Sequence, residues 1–345
     1  MVKVLIHYFS GTGNSLLAAK QLSNELEEYG YEATFHAIEN GLYDTTQAYS
    51  LHIFFFPVFA TAVPHIMRRY ICSIPSGKNV RTAVISTNGK VSTHFRDGYQ
   101  GWALYQARLY LGIKKYNVIY STSLDYPHNI TVAIPPRKSL YNTKIIEQVS
   151  LEIPKIAEQI ANGKVFHRKI FIPNIIWSLP FGIVYSLVGR RVIGKLFTAD
   201  NSCTSCGLCA ERCPVDAIVK EPHSIRWKWN CEGCLRCINS CPKHAVQTSV
   251  VRILAVILAM SVNLFNFIVP AVFINSLGST GASIFNFCTG VISFILVIYL
   301  ADWILKEASY IPVLKRIIGL GFTQLYGRYN AKDFEDKFII KNKSR

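Results

Sequence analysis

Continuous apolar runs of strand length occupy residues 2–9 and 51–57, inside a stretch where apolar runs alternate with segments of helical spacing. An apolar residue at nearly every position is what a parallel strand covered on both faces requires. Weaker strand patterns fall at 31–38, 80–87 and 117–121, and helical periodicity falls at 15–29 and 98–111. The order βαβαβαβαβ predicts an α/β domain over residues 1–165, built on a doubly wound, five-stranded parallel sheet. Residues 138–162 read as its closing helix, interrupted near Pro154.

The pattern then changes. Residues 166–199 form a connector whose 171–189 stretch is uncharged and apolar, yet contains Pro173, Pro180 and Gly182. Basic residues flank it on both sides, His167, Arg168 and Lys169 before it, Arg190 and Arg191 after it. Breakers and symmetric charge argue against a spanning helix. Two expectations stand: a segment facing a membrane surface or a partner, or an apolar linker packed on the first domain. Beyond a cysteine-rich stretch, 250–274 and 282–301 carry no charge except Arg252. Each is long enough to cross a hydrocarbon core of about 30 Å, so 250–303 reads as a transmembrane helical hairpin. The link 275–281 has no Lys or Arg, whereas the tail 304–345 holds Lys306, Lys315, Arg316 and Arg328. The positive-inside tendency puts the link outside, and the soluble domains and both termini in the cytoplasm. Two buried core helices are the other reading, but no further domain is available to cover them.

Charge changes little in this picture. The net +16 is spread as +5, +6 and +5 over residues 1–150, 151–249 and 250–345. It gathers on no single arm or helix, so no nucleic-acid partner is expected, and much of it flanks apolar segments where anionic lipid headgroups attract it. No secretory leader is expected, because the first residues lead straight into a strand. Of ten cysteines, eight lie between Cys203 and Cys241, leaving Cys72 and Cys288 as unpaired, buried residues. Clustered thiols in a reducing compartment point to metal ligation rather than disulfides.

The cysteines read Cys203-x2-Cys206-x2-Cys209-x3-Cys213-Pro214, then Cys231-x2-Cys234-x2-Cys237-x3-Cys241-Pro242, one run repeated after about 28 residues. Iron–sulfur clusters are held by four thiolates, and in this run the fourth cysteine serves the other cluster. Two [4Fe–4S] clusters are expected, one on Cys203, Cys206, Cys209 and Cys241, the other on Cys231, Cys234, Cys237 and Cys213. Proline after each fourth cysteine ends the local helix, and Gly207 and Gly233 suit tight loops whose N–H groups point at sulfides. A pair of zinc ribbons needs only four ligands per site and is disfavoured by two complete sets with three cysteines at x2 spacing. Residues 200–249 resemble the bacterial two-cluster ferredoxins at all eight ligands, which implies a small α+β ferredoxin-like domain.

Ser10, Gly11, Thr12, Gly13, Asn14 and Ser15 follow the first strand and open the first helix. Backbone N–H groups, the helix dipole and the hydroxyls there can hold a phosphate. A Walker A loop needs Lys where Asn14 stands, and a dinucleotide fingerprint needs Gly where Leu16 stands. The stretch from Tyr8 to Ser15 resembles the hydroxyl-rich loop of flavodoxins. That resemblance implies a flavodoxin-like fold and FMN, with the flavin ring between Pro57, Val58, Phe59 and Ala60 on one side and Ser86, Thr87, Asn88 and Gly89 on the other. Phe59 is a candidate to stack on the ring or a core aromatic. Gly89 lets backbone approach the ring edge. Trp102 and the run from Tyr126 to Asn129 lie near the same edge.

Both halves resemble the flavodoxin–ferredoxin fusion proteins of anaerobic bacteria and archaea over residues 1–249. Phe322, Thr323, Gln324, Leu325, Tyr326, Gly327, Arg328 and Tyr329 look like the aromatic-basic stretch that follows the hairpin in membrane-bound members. An interfacial belt of Tyr and Arg is the alternative for that stretch. The fusion implies a membrane electron carrier that relays low-potential electrons between FMN and the clusters. Its expected partners are lipid, a soluble redox protein and a membrane redox partner. No nucleophilic constellation appears. A self-contained reductase of a quinone or lipid-soluble substrate is the enzymatic alternative, and a redox sensor or assembly subunit the third.

Overall fold

The computed structural model describes residues 1–90, 100–169, 172–221, 225–273, 278–332 and 334, without the side chains of 172, 174, 177 and 262–288. The first module runs β1 (Val2–Tyr8), α1 (Asn14–Glu27), β2 (Tyr31–Ala37), β3 (Leu51–Pro57), α2 (His65–Ser73), β4 (Arg81–Lys90), α3 (Ala103–Ile113), β5 (Asn117–Pro127), α4 (Ser139–Ser150), α5 (Ile153–Ala161) and β6 (Phe166–His167). The sheet is parallel throughout, in the order β2-β1-β3-β4-β5-β6. It therefore has six strands rather than the expected five. The extra edge strand is two residues long, too short to leave a hydrophobic pattern, and pairs Phe166 and His167 with Tyr120 and Ser121.

Side-chain alternation along β3 sorts the core. Leu51, Ile53 and Phe55 face α1, α4 and α5, whereas Phe54 and Phe56 face α2 and α3. Both faces are filled, as the unbroken apolar run requires. The expected closing helix is two helices, with Pro154 in the first turn of α5, where proline's missing N–H costs nothing. On α2 the buried residues are Ile66, Met67, Tyr70 and Ile71, which leaves Cys72 on the outer face. Cys72 is thus exposed, not buried as expected. The side chain of Cys288 lies outside the described residues.

The connector is largely helical: α6 (Ile172–Val184), a π-helical stretch at Tyr185–Gly189, and α7 (Arg190–Leu196). Pro180 lies inside α6. One face packs on the first module, where Thr61 Oγ1 donates to the Ser178 carbonyl at 2.8 Å and Gly182 abuts Trp102 and Ala62. Ile176, Phe181, Ile183, Val184 and Leu187 remain exposed on the other.

The cysteine module follows as β7 (Phe197–Ala199), α8 (Leu208–Glu211), β8 (Ile218–Lys220), β9 (Ile225–Trp227), α9 (Arg236–Asn239) and β10 (Val246–Thr248). Two antiparallel pairs, β7 with β10 and β8 with β9, enclose Phe197, Ala217, Trp227 and Ile238. Then α10 (Val250–Phe273) and α11 (Gly278–Ala308) pack against each other, followed by α12 (Pro312–Ile318). At 1.5 Å per residue the pair measures roughly 36 and 46 Å. Among the described residues one stretch, Thr289–Ala308, is long and apolar enough to cross a membrane, and 6% of it is buried. The first expected span falls mostly on side chains outside the description, and every side chain of the link at 275–281 does so too. The base of the pair is tied to the connector by charge: Asp302 accepts from Lys195 Nζ at 2.6 Å and from Arg252 Nη1 at 2.9 Å, and Lys195 Nζ also donates to the Trp227 carbonyl of the cysteine module at 2.7 Å.

The 322–329 stretch is divided, with Phe322 and Leu325 exposed. Thr323 and Tyr329 are buried, and the chain folds back across the cysteine module onto the first helix.

Candidate functional site

The two cysteine runs fold alike. Ser205 and Gly233, Gly207 and Leu235, and Asp216 and His244 occupy equivalent places in the repeat, and all six have positive φ. The Ala217 N–H donates to Cys213 Sγ at 3.2 Å, and its counterpart Ala245 N–H donates to Cys241 Sγ at 3.3 Å. All eight cysteines line one apolar cavity inside the module.

Electrostatics sorts them into two quartets. Burial, then the neighbours Cys203, Cys241 and Cys206, pushes the Cys209 thiol up to about 11. Burial pushes Cys231 up to about 12, with Cys213 reinforcing it and a Gly233 N–H opposing it. Burial likewise takes Cys234 to about 12, against the pull of Arg236. Cys237 is driven well above the ordinary thiol value by burial and then by Cys231 and Cys234. Thiols whose pKa values are raised by burial and by one another become thiolates together only when a cationic group sits among them. Among the described residues no three metal-binding side chains converge on a point that a single ion could occupy. Eight cysteines around one cavity, with Cys241 beside Cys209 and Cys213 beside Cys231, fit iron–sulfur ligation in which the fourth cysteine is exchanged between the two runs.

A second cavity, of about 570 Å³, opens at the carboxyl ends of β1, β3 and β4. That is the size range of small-molecule sites, placed at the edge where ligands bind such sheets. Ser10, Gly11, Thr12, Asn14, Ser15, Pro57, Val58, Phe59, Ala60, Thr87, Asn88 and Gly89 all line it. Gly13 and Ser86 do not. Gly13 sits behind the loop with φ near +100°, and Ser86 Oγ donates to Ser123 Oγ at 2.8 Å within the sheet. Phe59 lines the cavity and meets Phe9 edge-on at 6.2 Å. Trp102 packs on Gly182 instead. Of the 126–129 run, Asn129 reaches the cavity.

The cavity is chemically prepared for a ligand. The Ser10 Oγ accepts the Gly13 N–H at 3.0 Å, and Ser15 Oγ meets Thr87 Oγ1 at 2.7 Å. The Ser10 carbonyl accepts from Arg236 Nη2 at 2.7 Å, and the Thr12 carbonyl accepts the Ala331 N–H at 2.8 Å. With carbonyls drawn to outside partners, the loop is set to offer N–H groups to an anion at the N-terminus of the 14-residue α1. Asn88 Nδ2 donates to Ser123 Oγ at 2.7 Å, but its Oδ1 is buried with no partner among the described residues. Both ring nitrogens of His128, directly behind Gly89, are likewise unpartnered. Burial, then Arg137, lowers the His128 pKa and keeps its ring neutral. The hydroxyls and backbone N–H groups at the N-terminus of α1, with the cavity beside them, fit a flavin that ends in a phosphate.

The remaining walls were not readable from local motifs. Phe181, Tyr185 and Ile193 come from the connector, and Gly233, Cys234 and Leu235 from the second cysteine loop. Gly11 lies so close to the Cys234 carbonyl that any Cβ there would overlap it. Buried charge seals this contact. Arg236 Nη1 and Nη2 bond the two Glu39 oxygens at 2.6 and 2.9 Å, and Nη1 also donates to the Arg212 carbonyl at 2.9 Å. Glu232 accepts the Ile66 N–H at 2.7 Å and pairs with Arg190 at 3.4 Å. Charged residues between cluster cysteines were the available signal, but one sequence reads them as solvated.

Residues 200–219 match the 4Fe-4S binding domain family. A 69-residue stretch is 32% identical to YccM of Escherichia coli (strain K12), named as an electron transport protein; it covers 20% of this chain and 19% of that protein. A flavodoxin variant from Pseudomonas aeruginosa aligns over 47% of this chain and 98% of its own, at 14% identity and TM-score 0.34. A flavodoxin from the domain Archaea aligns over 46% and 99%, at 12% identity and TM-score 0.30. An azoreductase from Bacillus anthracis str. Sterne aligns over 46% and 100%, at 12% identity and TM-score 0.33. The 2-1-3-4-5 order of the first five strands is the flavodoxin-like one. Joined to a 4Fe-4S binding domain, it gives this chain a flavodoxin/ferredoxin-type architecture.

Proposed function

We propose that this chain is a membrane-anchored electron-transfer protein that relays low-potential electrons through FMN and two [4Fe–4S] clusters, linking soluble redox donors to a membrane acceptor. The observation that carries this reading is a shared wall: Gly233, Cys234 and Leu235 line the same cavity as the phosphate loop and the two ring loops. When bound, FMN exchanges electrons singly or in pairs, and each cluster exchanges one at a time. The chain's own residues set the order. Cys234 belongs to the quartet with Cys213, Cys231 and Cys237, so that quartet stands next to the flavin cavity. Cys203, Cys206, Cys209 and Cys241 do not line the cavity, and Cys206 is exposed, which supports this quartet as the one a soluble partner protein reaches. The exposed apolar surface of α11 and the outer face of α6 support a hairpin in lipid, with the redox modules and both termini on the cytoplasmic side. Iron, sulfide and flavin are to be quantified after anaerobic purification in detergent. About eight irons and one FMN per chain are expected. Eight irons with no flavin, and no uptake of added FMN, sink the relay.

One observation favours a second reading, a reductase of a quinone or other lipid-soluble substrate. Phe181 is both a cavity wall and 59% exposed on the apolar face of α6, so the cavity borders the surface that would meet lipid. Sustained turnover of a short-chain quinone with an artificial reductant and no partner protein supports it. A single stoichiometric oxidation leaves the relay.

A further inference from the structure

We propose that residues 328–332, with Phe334, are a strap that forms the outer half of the flavin phosphate site and makes flavin retention depend on the docked C-terminal segment. The proposal rests on the FMN reading above and assigns positioning residues to that site. The strap's contacts fall on the three central residues of the phosphate loop. The Ala331 N–H donates to the Thr12 carbonyl at 2.8 Å, and the Tyr329 hydroxyl donates to Asn14 Oδ1 at 2.6 Å. Gly13 between them packs so closely that a Cβ would stand 2.7 Å from the Phe334 side chain and 2.8 Å from that of Ala331. Each contact takes an outward-facing group of the loop, an oxygen or the bare Cα, and none takes an N–H. The strap thus holds the loop from behind in the conformation that an anion needs in front. A loop of small turn residues otherwise loses that conformational freedom only on binding, which weakens affinity without any contact to the ligand.

The other end of the strap is tied to the clusters. Asn239, in the turn between Cys237 and Cys241, accepts the Tyr329 N–H at 3.0 Å and the Thr131 hydroxyl at 2.7 Å on Oδ1. Its Nδ2 donates to the carbonyl of Leu235, a cavity wall, at 3.0 Å. Asn330 Nδ2 donates to the Asn239 carbonyl at 3.2 Å, and Arg328 donates to the carbonyls of His244 and Val246 at 3.3 and 3.1 Å. One hub therefore joins strap, cluster loop and the cavity-lining 129–132 segment. Tyr329 is buried, and burial raises its pKa, so the hydroxyl keeps the proton it donates.

The test uses full-length protein in detergent, a chain ending after Gly327, and Tyr329→Phe. Iron per chain, retained flavin per chain and the FMN dissociation constant, read by quenching of flavin fluorescence, are measured on each. The truncation is expected to keep its iron and bind FMN at least about tenfold more weakly, and Tyr329→Phe about two- to fivefold more weakly with iron unchanged. If both variants bind FMN as tightly as the full chain, the strap is not part of the site. If the truncation also loses iron, Tyr329→Phe decides: weaker FMN at full iron supports the proposal, and unchanged FMN overturns it. Full-length protein that binds no FMN refutes the flavin reading itself and the strap with it, an outcome recognisable without either variant.

Discussion

Replacing Arg236 by Met keeps the length of the side chain and deletes its charge and all of its donors. The guanidinium is 2% exposed and its partner Glu39 is 1% exposed, with two parallel bonds between them. Breaking such a pair from one side leaves a carboxylate buried without compensation, which costs about 3–5 kcal/mol. The Ser10 and Arg212 carbonyls also lose a donor, at about 1 kcal/mol each where water cannot replace it. Part of this is recovered as the contact opens and water reaches Glu39, so a net loss of about 4 kcal/mol is expected. Against a domain stability of roughly 5–15 kcal/mol that is a large fraction. The loss falls on the contact between modules, because Arg236 sits in the cluster loop while Glu39 and Ser10 belong to the flavodoxin-like module. Anaerobic urea titration in detergent, reading cluster absorbance and flavin release together, is the assay. Both midpoints should fall in Arg236→Met. The double variant Arg236→Met with Glu39→Leu should regain at least about 2 kcal/mol, since no buried charge is then unpaired. Coincident curves for Arg236→Met and the unaltered protein, or a double variant that loses the sum of the single losses, refute the reasoning.

Gly11→Ala pushes a methyl group into the Cys234 carbonyl, and separation of the two modules at the cavity should weaken FMN binding at least about tenfold; unchanged binding by fluorescence titration would show that the contact gives way freely. Acid should act on the buried chain of Tyr70, His7 and His52, whose links are 2.7 and 2.8 Å. Burial holds His52 down at about 4 from an ordinary 6.5, so the folded state binds fewer protons between those values; stability is intact above about pH 6.5 and falls toward pH 4 by about 3 kcal/mol. His52→Asn should flatten that acid limb, and a limb of unchanged steepness in denaturation midpoints against pH counts against the linkage. Asp302→Asn removes the carboxylate shared by Lys195 and Arg252 and should lower the temperature of cluster bleaching in detergent by several degrees, for a loss of about 2 kcal/mol; no shift would mean that the hairpin base is held by apolar packing alone.

What could be read from the sequence depended on the range of the interaction. The cysteine repeat was legible because ligand spacing is a covalent property of a short loop, and the phosphate loop because a strand, a turn and a helix start are contiguous. The ring loops at Pro57 and Thr87 followed from the resemblance to flavodoxins, which places them at the ends of the third and fourth strands. The edge strand at Phe166 was missed because two residues carry no period. Cys72 was misplaced by its apolar neighbours Ile71 and Ile74, although the spacing of Met67, Tyr70 and Ile71 already turns position 72 outward. In the connector, Pro180 and Gly182 read as breakers. Gly182 instead makes room for Trp102, whose Nε1 a Cβ there would approach to 2.8 Å.

The contacts that assemble the site had no local signature. Tyr329 and Asn14 are separated by 315 residues, and a tyrosine hydroxyl on an asparagine amide is too generic a pair to be matched across that distance. Arg236, Glu39, Glu232 and Arg190 failed differently. A charge in a single sequence is assigned to solvent, because that is where most charges lie. Here all four side chains are buried, and each lies beside a cluster loop or against one. Their placement has a physical cause: joining two cofactor modules face to face excludes water from the turns and carbonyls at the contact, and these groups need donors and acceptors from side chains. Buried ion pairs are a weak source of stability but a strong source of register. The register they set brings Cys234 to the wall of the cavity beside the phosphate loop, the relation on which the proposed electron relay depends and one that neither module's motif contains.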